Sequence, residues 1–220
     1  MLAYQVVLKS SIDTFNYTII FFSYVGSSGL GSNQLNQPHG IDLDTSTNTL
    51  YISEYSAHRV RCYLYNATSG TTVAGGNSQG NTATQLNMPT AVYFDSFSNS
   101  LYIANSGAHN IVRWILGSSN WTLSAGNALG APGGTSMLLN SPLDVELDPM
   151  GNLYVADTTN QRIQFFPFGK LNGTTIAGQL LTTGIDSYTF RNPVSLQLDT
   201  QLNLYVVDYL NNRIQKFLRY

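Results

Sequence analysis

The sequence predicts an all-β fold: a β-propeller of four-stranded antiparallel blades, with about four to five blades visible. Three observations carry this. One phrase recurs four times, as Leu35-Asn36-Gln37-Pro38, Leu86-Asn87-Met88-Pro89, Leu139-Asn140-Ser141-Pro142 and Phe190-Arg191-Asn192-Pro193, with prolines 51, 53 and 51 residues apart. A long repeat of this kind marks a stacked or radial architecture. The stretch after each proline alternates apolar and polar residues with period two, as strands do. Helical periodicity is absent, so radial packing of twisted sheets is favoured over a strand-and-helix solenoid.

The elements follow in order. In the first strand, Ile41 and Leu43, Val92 and Phe94, Val145 and Leu147, and Leu196 and Leu198 flank Asp42, Tyr93, Glu146 and Gln197. It ends at Asp44, Asp95, Asp148 and Asp199, whose carboxylates suit a turn by accepting nearby backbone N–H groups. In the second strand, Leu50 and Ile52, Leu101 and Ile103, Leu153 and Val155, and Leu204 and Val206 flank Tyr51, Tyr102, Tyr154 and Tyr205. The third begins at Val60, Ile111, Ile163 and Ile214, with Tyr63, Trp114, Phe166 and Phe217 three residues on. The fourth reads Thr72-Val73-Ala74-Gly75, Leu123-Ser124-Ala125-Gly126 and Thr175-Ile176-Ala177-Gly178. A loop rich in Gly, Ser and Asn then leads to the next proline.

One propeller domain therefore spans residues 35–220, as repeats 35–85, 86–138, 139–189 and an incomplete 190–220. Residues 1–34 read as the tail of a preceding blade, with a third strand at Gln5–Leu8 and a fourth from Thr18 towards Gly26. An open arc of about four and a half blades, cut from a longer propeller, is expected over a closed four-blade ring. An open arc leaves sheet edges unpaired and invites self-association.

Composition narrows the partners. Only 10% of the 220 residues are charged, against roughly 25% in an average globular chain. The net charge is −2 and the ten Lys and Arg residues are scattered, which argues against nucleic acid, because phosphate binding needs clustered cations. Cys62 is the single cysteine, so no intrachain disulfide is possible. The apolar run Tyr17–Val25 is too short to cross a bilayer. Residues 1–25 match a secretory signal poorly, with Lys9 as the single early positive charge and Asp13 soon after.

The third copy, with Gly151-Asn152-Leu153-Tyr154-Val155-Ala156-Asp157 and Asn160-Gln161-Arg162-Ile163-Gln164, resembles the NHL repeat. The fourth, with Asn203-Leu204-Tyr205-Val206-Val207-Asp208 and Asn211-Asn212-Arg213-Ile214-Gln215, is similar. The resemblance covers about residues 35–217 and implies a propeller that is usually six-bladed, which at this period needs roughly 300 residues.

Within the repeat, Glu54 and Arg59, Asp157 and Arg162, and Asp208 and Arg213 share a spacing of five, and in the second unit both members become amides, Asn105 and Asn110. Joint neutralisation indicates that the two side chains meet as a structural, charge-assisted pair. Four N-x-Thr sequons, at Asn16, Asn66, Asn120 and Asn172, fall just before the fourth strand of successive units. They point to glycosylation and to the secretory pathway or the extracellular space; the alternative is turn chemistry in a cytoplasmic protein.

The amidating lyases of this propeller type place a His after Pro in several blades to bind zinc. The corresponding residues are His39, Thr90, Leu143 and Val194, and one imidazole falls short of the roughly three protein ligands of a catalytic zinc. His58 and His109 precede Arg59 and Asn110 and read as loop residues. The aspartates ending the first strands lie on different blades and do not converge as calcium ligands. Tripartite-motif NHL proteins bind RNA on a basic face, whereas this chain has only Lys9, Lys170 and Lys216 as lysines.

The reading is a non-enzymatic scaffold, without cofactor, metal or nucleic acid, that binds a protein, peptide or glycan. The lyase and an RNA-binding domain are the alternatives. Binding residues usually sit on variable loops over a rigid frame, and the channel-mouth positions His39, Thr90, Asp144 and Ser195 are the candidate contacts.

Overall fold

The computed structural model describes residues 28–219. The strands expected at 5–8 and from Thr18, and the sequon at Asn16, lie outside the described residues. Among those described, fifteen strands form four antiparallel sheets. The first holds β1 (Pro38–Asp44), β2 (Thr49–Glu54), β3 (Arg59–Tyr63) and β4 (Thr71–Gly75) in that order. The second holds β5 (Pro89–Asp95), β6 (Ser100–Asn105), β7 (Asn110–Ile115) and β8 (Trp121–Gly126). The third holds β9 (Asp144–Leu147), β10 (Leu153–Asp157), β11 (Arg162–Phe166) and β12 (Thr174–Gly178). The fourth has three strands, β13 (Pro193–Leu198), β14 (Leu204–Asp208) and β15 (Arg213–Phe217).

These are the blades of a propeller, with β1, β5, β9 and β13 side by side at its centre. Three first strands open at their proline, whose missing N–H is tolerated at a strand start, and β9 opens two residues after Pro142. The first-strand carboxylates cap the next turn: Asp44, Asp95, Asp148 and Asp199 accept the N–H of Ser46, Phe97, Met150 and Gln201 at 2.9–3.1 Å. The fourth strand of the second blade starts at Trp121, two residues before Leu123, because Trp121 pairs with Trp114 across the ladder.

Small residues on one blade face meet large ones on the next. Tyr51, Val60 and Ala74 pack on Leu86, Leu101, Ile103 and Trp114. Tyr102, Ala104, Ile111 and Ala125 pack on Leu139, Val145, Val155 and Phe166. Ala156, Ile163 and Ala177 pack on Phe190, Leu196 and Val206. The glycine after each alanine is required twice over. Gly126 has φ +84, and a Cβ there would stand 2.5 Å from the His109 carbonyl oxygen.

The spacing-of-five pair is a buried hub. The Arg Nε donates to the carboxylate at 2.8 Å in Arg59–Glu54, Arg162–Asp157 and Arg213–Asp208, with each carboxylate fully buried. In the second blade Asn105 Nδ2 donates to Asn110 Oδ1 at 3.1 Å. The same acceptor receives the backbone N–H of the second residue of the recurring phrase. Asn36, Asn87, Asn140 and Arg191 donate to Glu54, Asn105, Asp157 and Asp208 at 2.8, 2.6, 2.7 and 2.6 Å. A blade donor also holds the carbonyl just before the phrase: Arg61 on Gln34, the Trp121 indole on Gln85, Arg162 on Leu138 and Arg213 on Thr189.

A latch joins successive blades. His58 Nδ1 accepts the N–H of Met88 at 3.1 Å, His109 Nδ1 that of Ser141 at 3.0 Å, and Gln161 Oε1 that of Asn192 at 2.7 Å. All three acceptor residues are left-handed, with φ of 51°, 54° and 61°. The loop histidines are therefore inter-blade fasteners.

Two predictions follow from these contacts. Arg162→Ala strands the Asp157 carboxylate without its cation and is expected to cost about 3–5 kcal/mol, read from urea unfolding; an unchanged midpoint contradicts the hub. Burial lowers the pKa of both His58 and His109 from the ordinary 6.5, opposed at His109 by the charge of Asp157. Their neutral rings belong to the folded state, so the stability they supply is complete above that pH and lost as pH falls below it. The double variant His58→Gln, His109→Gln is expected to hold its melting temperature better between pH 7.5 and 5, by about 1 kcal/mol per latch.

Candidate functional site

The four first strands line a cavity of about 600 Å³ at the centre of the propeller. The four residues after the prolines, His39, Thr90, Leu143 and Val194, fall at the openings of these strands, and of them His39, Thr90, Leu143 and Val194 all line the cavity. Asp144 and Ser195 come next, and further along the strands stands a ring of repeat-equivalent residues, Asp42, Tyr93, Glu146 and Gln197. Asn192, before β13, and Tyr209, between β14 and β15, also line it. The mouth thus opens at the end of the blades that carries the connections from the fourth strand to the next first strand.

Each candidate contact has a definite place. His39 is exposed and stacks on Tyr55, with ring centroids 5.3 Å apart and planes 29° apart. Thr90 is buried, and its hydroxyl donates to the carbonyls of Ala104 and Pro142 at 3.3 and 3.4 Å, so it braces the wall between the second and third blades. Asp144 Oδ2 accepts the Ser195 hydroxyl at 2.7 Å and the Leu196 N–H at 2.9 Å. Asp144 and Ser195 thereby tie β9 to β13, as Asp42 ties β1 to β5 by accepting the N–H of Phe94 at 2.6 Å.

The inner ring was absent from the sequence expectation. Glu146 Oε1 accepts the Gln197 amide at 3.0 Å. Among the described residues no Lys or Arg lines the cavity, while Asp42, Asp144 and Glu146 do. Burial, then the negative charges of Asp144 and Asp42, push the Glu146 carboxyl up to about 8. Tyr93 is pushed up to about 12 by burial and then by Glu146 and Asp42. Desolvation raises Asp42 and Asp144 as well. At neutral pH Glu146 therefore carries its proton and can donate a hydrogen bond into the cavity. The signal was in the sequence: four polar side chains at one repeat position, each between two apolar strand residues.

Among the described residues, no group of three His, Cys, Asp or Glu side chains is arranged to hold a metal ion. No described helix is long and apolar enough to cross a membrane. Cys62 is half-buried, burial raises its thiol pKa, and it lines a second hollow between the first two blades, of about 460 Å³.

The fold and the repeat chemistry define an NHL-repeat β-propeller: residues 35–63 and 139–166 match the NHL repeat. Solved structures share this fold. A Bacteroides thetaiotaomicron structural genomics protein of unknown function is 15% identical with a TM-score of 0.67, over 82% of this chain and 47% of that one. An auxiliary nutrient binding protein from the same organism is 19% identical with a TM-score of 0.63, over 80% of this chain and 46% of that one. A catalytically inactive virginiamycin B lyase from Staphylococcus aureus, with quinupristin, is 17% identical with a TM-score of 0.58, over 86% and 54%. The chain spans about half the length of these structures. No curated protein matches the sequence.

Glu146 makes the site measurable without a ligand. A carboxyl whose folded pKa is raised from 4.5 to about 8 loses stability as pH climbs through that interval and stays at its lowest contribution above it. Glu146→Gln is expected to remove this loss and to be the more stable form at pH 9 by about 2 kcal/mol. Parallel stability curves for the two proteins from pH 5 to 9 would contradict the assignment.

Proposed function

We propose that the protein is a non-enzymatic binding scaffold whose axial cavity takes a polar group of a glycan or peptide, with a sugar unit as the best fit. The carrying observation is the ring Asp42, Tyr93, Glu146 and Gln197, one polar side chain from each of four rigid blades around about 600 Å³. A protonated Glu146, the Gln197 amide and the Tyr93 phenol offer donors and acceptors of the kind that hydroxyl groups pair with, and the ring of Tyr93 offers a flat apolar face. The likeness to nutrient binding proteins is one of fold and agrees with this reading. Asn66, Asn120 and Asn172 support a secretory or extracellular location.

A lyase or hydrolase is the second reading, favoured by one observation: a carboxyl with a pKa of about 8 in a cavity is placed to transfer a proton near neutral pH. Calorimetric titration with a panel of oligosaccharides and short peptides tests the first reading. Binding by one class, weakened about tenfold by Gln197→Ala through loss of one hydrogen bond, is expected. Indifference of every titration to both Gln197→Ala and Glu146→Ala removes the cavity as the site. Turnover of the bound compound, abolished by Glu146→Gln, establishes the enzyme instead.

A further inference from the structure

We infer that Asn66, Asn120 and Asn172 carry N-linked glycans, which ring the end of the propeller opposite the cavity mouth. Each begins an N-x-Thr triplet in the connection from third to fourth strand: Asn66-Ala67-Thr68, Asn120-Trp121-Thr122 and Asn172-Gly173-Thr174. All three asparagines and all three threonines are exposed, and none of the three asparagine side chains hydrogen-bonds to a described residue.

No single turn or strand position accounts for all three triplets. Asn66 is left-handed, with φ 59°, a backbone state that suits Asn, whereas Asn120 and Asn172 are absent from the left-handed residues. Thr68 lies before β4, Thr122 is the second residue of β8 and Thr174 the first of β12. Thr122 and Thr174 share one ladder register, opposite Arg113 and Phe165, but the first blade holds Thr71 at that place and carries its triplet three residues earlier, so between blades the register shifts while the internal spacing and the exposure are kept. A single structural position copied from blade to blade would hold its register. A glycosyl-acceptor sequence needs only the triplet and access.

The surroundings agree. Beside Asn66, Leu64 and Tyr65 are 64% and 67% exposed, and beside Asn172, Leu171 is 41% exposed. Exposed apolar groups on a chain with 10% charged residues call for another source of solubility, which bulky hydrophilic glycans supply. Antiparallel connectivity puts the third-to-fourth connections at the end of each blade away from the cavity mouth, so glycans there leave the cavity open. In the modification, the Asn Nδ2 forms a bond to the anomeric carbon of a lipid-pyrophosphate-linked oligosaccharide. That carbon's bond to the pyrophosphate oxygen breaks, and the amide proton and the lipid pyrophosphate leave.

The test is site mapping on the protein from its native source. Peptide N-glycosidase in oxygen-18 water converts a glycan-bearing Asn to labelled Asp, and label at residues 66, 120 and 172 is the expected result. Unlabelled, unmodified Asn at all three overturns the inference. A triple variant, Thr68→Ala, Thr122→Ala and Thr174→Ala, secreted from eukaryotic cells, is expected to lose three glycan masses and to self-associate more in light scattering. An unchanged mass would overturn it equally. Neither readout depends on what the cavity binds, so failure here is separate from failure of the binding reading.

Discussion

Every blade depends on a buried acceptor at the end of its second strand. Glu54, Asn105, Asp157 and Asp208 are each fully enclosed, and each meets demands from two parts of the chain at once. One is its partner five residues on, across the hairpin; the other is the backbone N–H of the recurring phrase. A buried carboxylate is costly unless paired and hydrogen-bonded, so the cation and the docked phrase are conditions for the blade to form. The docked phrase then sets the proline that opens the first strand, and with it the wall of the cavity.

The second blade shows which part of this arrangement is essential. Its acid and its arginine are replaced together, by Asn105 and Asn110, which removes two buried charges and keeps the acceptor for Asn87. What the amide pair cannot do is hold the carbonyl ahead of the phrase, a task Arg162 and Arg213 perform in the third and fourth blades. The Trp121 indole takes it, donating to Gln85 at 2.8 Å. In the first blade Arg61 does so instead of Arg59. The requirement is therefore a donor at that carbonyl, met by guanidinium or indole, and charge is one way among others to meet it.

These facts mark how far the sequence could be read. Period-two alternation and turn aspartates placed the strands closely, because burial and turn capping act locally. The spacing of five disclosed that two side chains meet, since Asn105 and Asn110 changed in step. It did not disclose the phrase as the third partner, nor Trp121 as a stand-in: the phrase keeps 17 or 18 residues from its acceptor in every blade, but nothing changes in step there to show a contact, and Trp121 lies 36 residues from Gln85. The histidines show the same limit: His58 and His109 sit in loops, as their position suggested, but the N–H groups they accept lie on the next blade. At the axis, strand openings such as His39 drew attention, while Asp42, Tyr93, Glu146 and Gln197 were set aside as the polar half of an alternation. Alternation shows that a residue faces away from the apolar layer. Only the placing of the strands around a common cavity shows that it shares that cavity with three others of its kind.

The fourth blade carries the same logic to its edge. Val60, Ile111 and Ile163 are fully buried by the blade that follows, whereas Ile214 at the same position is 68% exposed. On that uncovered face Lys216 lies 5.0 Å from the centre of the Tyr205 ring and 4.0 Å from Asp199, at the place where Cys62, Arg113 and Phe165 stand in the other blades. The inner faces thus use small residues against large ones to bind blade to blade. Among the described residues the blades meet at three junctions, each with an apolar layer and a latch, and these same junctions hold the four first strands side by side along the cavity.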